Sequence, residues 1–137
     1  MTAKEFLTQA YRLDDRINSL ERELKTLRSA PISNYNNTGG GRPSENVSPT
    51  EAKALKSMAL EELIESEKSK LEQIRYNIHT AIGGLAKIDE QLVLRYRYIE
   101  RSYNGKMPAW EVIAEKMHYD LRQVYRIHGK ALEHLQF

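Results

Sequence analysis

Apolar side chains at Phe6, Ala10, Leu13, Ile17, Leu20, Leu24 and Leu27 recur at alternating steps of four and three. Arg12, Asp14, Asp15, Arg16, Glu21, Arg22, Glu23 and Lys25 occupy the other faces. Such a rhythm is a heptad seam, and it predicts a helix from about residue 3 to 28, ~39 Å long at the α-helical rise. Thr2-Ala3-Lys4-Glu5 reads as the capping box that opens it. Pro31 is expected to close it. Ser48-Pro49-Thr50-Glu51 repeats the opening signal, with proline at the first helical position. From there Leu60, Ile64, Glu67, Leu71, Ile74, Ile78, Ala81, Leu85, Ile88 and Leu92 keep the same step, with Glu67 the one polar member. Gly83-Gly84 is expected to loosen or break this second helix. Two narrow apolar stripes must cover each other. An antiparallel coiled-coil hairpin is the simplest arrangement, and pairing of the stripes between two copies is the competing one.

Ser29 to Ser48 is the linker, rich in Asn, Gly, Pro and Ser. Its Gly39-Gly40-Gly41 run is no phosphate loop, because no Gly-Lys-Ser/Thr follows and no buried strand precedes it. Beyond Gly84 the elements become short. Ile88 to about Arg101 is a helix with Leu92, Val93, Tyr96 and Ile99 on one face. Tyr103-Asn104-Gly105-Lys106-Met107-Pro108 is a turn. Ala109 to Met117 is a second helix, with Trp110, Ile113, Ala114 and Met117 expected inside. After His118-Tyr119, Asp120-Leu121-Arg122-Gln123 caps a last helix that runs toward Leu135. Two helices joined by about three residues form the helix-turn-helix layout. The fold class is therefore all-α: a hairpin over residues 1–86, with linker 29–48, and a helix-turn-helix domain over 87–137.

Charge sharpens the reading of the last helix. The net charge is only +2, with 12 basic and 12 acidic residues in 1–86 and 9 basic and 7 acidic in 87–137. Residues 121–130, however, hold Arg122, Arg126 and Lys130 and no carboxylate. Val124, Ile127, Ala131, Leu132 and Leu135 form its apolar face, which leaves Leu121, Arg122, Tyr125, Arg126, Gly129 and Lys130 on the other sides. A recognition helix presents its first turns to base edges in the major groove, where arginine can bond guanine through both of its nitrogens. Cations further along reach phosphates. The candidate double-stranded DNA-binding residues are Leu121, Arg122, Gln123, Tyr125, Arg126, His128 and Lys130. A solvated charged face is the plain alternative for any one of them.

Three stretches also carry a family resemblance. Leu94-Arg95-Tyr96-Arg97-Tyr98-Ile99, Trp110-Glu111-Val112-Ile113-Ala114-Glu115-Lys116-Met117 and Arg122-Gln123-Val124-Tyr125-Arg126-Ile127-His128-Gly129-Lys130-Ala131-Leu132 resemble small phage and prophage proteins of Gram-positive bacteria. Those proteins have a sigma-factor region-4-like DNA-binding domain and are similar to the ArpU and RinA late-transcription regulators. Ala3-Lys4-Glu5-Phe6-Leu7, with Leu13-Asp14 and Ile17-Asn18, also looks like the opening of that family. The resemblance implies a transcription regulator of phage late genes in the bacterial cytoplasm, and implicates Leu121, Arg122, Tyr125 and Arg126 in groove reading. It further suggests RNA polymerase as a partner. Two positions depart from the pattern. Ala109 stands where a capping serine is common, and His118 where the turn often has glycine, a residue better suited to positive φ.

Other chemistry is poorly supported. The chain has no cysteine, hence no disulfide or thiolate metal site. His79, His118, His128 and His134 lack close metal-ligand spacing and read as surface or turn residues, with His128 a candidate phosphate contact. No carboxylate pair or nucleophile–base pair suggests catalysis, so no enzyme activity, cofactor or metal is expected. No apolar run approaches the ~18–20 residues of a membrane span. A small-terminase-like DNA-packaging protein and a coiled-coil adaptor are the alternative functions, and a homodimer through the coiled coil is the expected form of self-association.

Overall fold

Thr2 and Glu5 cap the first helix reciprocally. The Glu5 N–H donates to Thr2 Oγ1 at 3.1 Å, and the Thr2 N–H donates to Glu5 Oε2 at 3.0 Å. Together they satisfy two of the orphan donors of a helix start and open α1, Ala3–Ser29. Ser48 Oγ likewise accepts the Glu51 N–H at 3.1 Å and starts α2, Pro49–Gly83. The second helix stops at the paired glycines. After them come α3, Ile88–Leu94, a π-helical turn over Arg95–Ile99, α4, Trp110–Met117, and α5, Leu121–His134. The computed structural model describes residues 1–29, 48–100 and 106–137. The linker between Ser29 and Ser48, with Pro31 and the glycine triplet, lies outside them, as do Arg101 and the Tyr103–Gly105 part of the expected turn. Among the described residues the chain is all-helical, with no strand, and no helix is long and apolar enough to cross a membrane.

Contacts divide the chain into two compact units, residues 13–71 and residues 1–12 together with 72–137. The sequence reading drew one boundary near residue 86. In the structure the start of α1 and the last turns of α2 belong with the short C-terminal helices instead.

In the 13–71 unit Ile17, Ile64 and Leu71 are buried. Ion pairs link Arg16 to Glu67, Glu21 to Lys68 and Arg28 to Glu61. From Arg16 to Arg28 the α2 partner moves back from Glu67 to Glu61, so the two segments run antiparallel here. Glu67, the polar intruder in the heptad register, is only 4% exposed. Lys70 Nζ lies 3.3 Å from its Oε1 and Arg16 Nε 3.9 Å from its Oε2. Two cations thus answer a carboxylate that would be costly to bury alone.

In the other unit α5 packs on α3 and α4, over a core that includes Val93, Leu94, Ile113, Val124 and Ala131. Phe6 of α1 stacks on Phe137 with ring centroids 4.8 Å apart. Three expectations are corrected here. Ile88 is 69% exposed and does not extend the α2 seam, because the break at Gly83-Gly84 restarts the helical phase. Leu94 and Tyr98 are buried, while Tyr96 and Ile99, expected on the inner face, are half-buried. The cause is the π-helical turn. Glu100 N–H donates to Arg95 O at 2.8 Å, five residues back. That wider turn rotates the residues after Leu94 off the 3.6-residue register on which the expectation was drawn.

Candidate nucleic-acid interface

The connection between α4 and α5 is three residues long, from His118 to Asp120. His118 adopts the left-handed conformation, φ 61° and ψ 34°. It is the only such non-glycine residue among those described. Its N–H donates to Glu115 O and the Tyr119 N–H donates to Ala114 O, both at 3.2 Å. These are the two bonds of a Schellman stop, made here without the glycine usually found there. Tyr119 then donates its hydroxyl to Asp89 Oδ2 at 2.6 Å, which ties the turn to α3. The same bond, with the carboxylate's charge, holds the Tyr119 pKa above the ordinary phenol value. Asp120 restarts the chain by accepting the Gln123 N–H at 2.8 Å. Ala109 gives α4 no side-chain cap.

This geometry fixes the faces of α5. Val124, Ile127 and Ala131 are buried, and Leu135 just beyond the helix is buried with them. Arg122, Tyr125, Arg126, Gly129 and Lys130 are exposed, with Tyr125 47% exposed, while Leu121 and Gln123 are half-buried. Among the described residues neither Arg122 nor Arg126 makes a side-chain hydrogen bond or ion pair. Lys130 reaches Glu133 at 3.7 Å, an exposed pair of small worth.

His128 differs from its expected surface position. It is half-buried, and its Nε2 is 2.8 Å from the Tyr98 hydroxyl. Burial, helped by the positive charges of Lys4 and Arg97, pushes the imidazole down to about 4. A neutral ring at physiological pH offers a phosphate no charge. Trp110, expected in the core, is also only half-buried. Its indole meets the Arg97 guanidinium at 4.4 Å, and the rings of His128 and Tyr125 pack edge-on against it at 4.6 and 5.4 Å. Arg97 is held there by donating to Pro108 O at 2.6 Å. Sequence periodicity could not show this cluster, since it joins the π-helical turn, α4 and α5.

The His128 environment has a pH consequence. The unfolded chain protonates this ring near pH 6.5, whereas the folded chain keeps it neutral down to about 4. Between those values the unfolded state binds more protons, so stability falls as pH drops. Allowing for solvent screening of a half-exposed ring, the loss should be about 1 kcal/mol between pH 7 and pH 5. Urea denaturation of the parent and His128→Gln chains at both pH values measures it. An equal pH slope in the two would sink the assignment.

Among the described residues no three His, Asp or Glu side chains gather in a way that could hold a metal ion. No protein-family model, curated protein or solved structure matches the chain. The likeness to phage regulators therefore rests on the sequence motifs alone.

Proposed function

We propose that this chain is a sequence-specific double-stranded DNA-binding transcription regulator, of the sigma-region-4-like kind found among phage late regulators. In this reading α4 and α5 form a helix-turn-helix and the long α1 and α2 form a coiled-coil hairpin. The observation that carries it is the two-sidedness of α5: Val124, Ile127 and Ala131 are buried on one face, and the other is an exposed row of Arg122, Tyr125, Arg126 and Lys130 without a carboxylate before Glu133. Arg122 and Arg126 are one turn apart and free to bond guanine edges. Lys130 lies two turns from Arg122 and suits a phosphate. A homodimer through the long helices and a contact with RNA polymerase belong to the same reading.

Gly129 supports it independently. A Cβ added there would meet nothing within 4 Å, so the helix forgoes about 1 kcal/mol relative to alanine with no packing reason inside the molecule. A bare backbone on an exposed face lets another molecule approach closely. Gly129→Ala should therefore stabilise the fold by about 0.5–1 kcal/mol and yet weaken duplex binding. Thermal melts and duplex titrations separate the two effects, and a variant that gains stability without losing affinity would remove this support.

The test of the function is selection of bound duplexes from a random pool, followed by titration of the enriched site and an unrelated duplex over a salt series. The reading expects an enriched sequence and a steep salt dependence. Absence of duplex binding would leave the adaptor function in its place.

A further inference from the structure

Beside α5 lies a hollow lined by Lys87, Asp89, Glu90, Gln123, Arg126 and Lys130. By formal charge it is nearly self-neutralising, but its carboxylates are already engaged. Glu90 is 3% exposed, and its two oxygens sit 2.9 and 3.2 Å from His134 Nδ1. Asp89 accepts the Tyr119 hydroxyl. Neither Lys87 nor Arg126 has an ion pair among the described residues, although Lys87 stands within one helical turn of both carboxylates. Lys130 holds only its exposed pairing with Glu133. Lys87, Arg126 and Lys130 thus line one concavity whose acids already have other partners. The chemistry that fits them is an oxyanion.

Resting on the DNA reading of α5, we propose that Lys87 joins Lys130 in gripping the backbone phosphates of one DNA strand, beside the base-reading Arg126, so that α3 as well as α5 contacts the duplex. A helix in the major groove is walled on both sides by phosphates, while its outermost side chains meet base edges. On α5, at 100° per residue, Gln123 and Lys130 fall on one flank and Tyr125 and His128 on the other. Lys87, at the head of α3, comes up beside the first flank. The opposite flank offers the neutral His128 and the Tyr125–Trp110 pair. Nothing local in the sequence marks Lys87, whose place beside α5 arises only from the packing of α3 on α5.

The experiment compares the parent chain with Lys87→Gln, Lys87→Arg and Arg122→Ala on the selected site and on an unrelated duplex, across a salt series. Lys87→Gln should weaken both duplexes by about threefold to tenfold and flatten the logarithmic salt slope by about one. Its melting temperature should match the parent's, and Lys87→Arg should keep both affinity and slope. If Lys87→Gln binds like the parent while Arg122→Ala loses site preference, the grip is overturned and the α5 reading stands. A loss confined to one sequence would indicate a base contact and overturn the phosphate assignment. A parent chain that binds neither duplex would remove both proposals.

Discussion

Replacing Arg122 and Arg126 together by alanine should cost about 2–5 kcal/mol on the preferred site, on the order of 30-fold to several thousand-fold in affinity. Each arginine that reads a guanine is worth ~1–3 kcal/mol of discrimination, and the two stand close enough on one helix for their losses not to add simply. The folded state should scarcely notice. Both side chains are exposed, with no intramolecular partner among the described residues, and such surface changes usually shift stability by no more than ~0.5 kcal/mol. Loss of binding in a chain with unchanged melting temperature is therefore diagnostic. The single variants refine it. Arg122→Ala should relax preference at one or two base pairs, whereas Lys130→Ala should weaken every duplex about equally and lower the salt slope by about one ion. Full affinity and site preference in a folded double variant would mean that α5 is not the recognition helix.

The parts of this molecule that could be read from the sequence are those fixed by short-range rules. A capping box needs two residues three apart; Thr2 and Glu5 form both of its bonds, and Asp120 accepts the Gln123 N–H. The faces of α5 follow from one undistorted helical period, so Val124, Ile127 and Ala131 are inside and Arg122, Arg126 and Lys130 outside. The positive φ of His118 was foreshadowed by its place in a turn that must stop one helix and start another. Position-by-position reading fails where the period itself changes. The π-helical turn at Arg95–Ile99 leaves no compositional mark, yet it decides that Tyr98 is core while Tyr96 and Ile99 are not. Leu7 and Ile82, both fully buried, sit one residue beyond the heptad positions Phe6 and Ala81. Near them α1 reaches Phe137 through Phe6 and α2 reaches Arg95 through His79, so the buried arc is wider than a two-helix seam. His128 could not be anticipated because its character depends on Tyr98, thirty residues away in sequence.

Leu94→Ala should be the most damaging of the substitutions considered, at about 2–5 kcal/mol, and it should exceed Trp110→Ala. The sequence pointed to Trp110 as a core anchor, a lone tryptophan on the inner face of a short helix. Leu94, however, is 0% exposed, and it stands where α3 passes into the π-helical turn. Truncation there removes buried methyl groups and leaves a void that the surrounding helices can only partly fill. For a small unit whose total stability is on the order of 5–10 kcal/mol, that is a large fraction. Trp110 is half-exposed, so it forfeits less burial. What it loses is the Arg97 stacking, worth about 0.5–1 kcal/mol where water still reaches the cation, and edge contacts to His128 and Tyr125, each worth about 0.5–1.5 kcal/mol. These contacts share one ring and do not add in full, so Trp110→Ala should cost about 1–3 kcal/mol and leave a folded chain. It should still weaken duplex binding severalfold, because Tyr125 loses the ring that fixes its edge beside the exposed face of α5. Urea denaturation of both variants with duplex titration of Trp110→Ala checks the pair. If Trp110→Ala proved the more destabilising, the indole would be the anchor of the unit and the half-open aromatic cluster would have no separate part in binding.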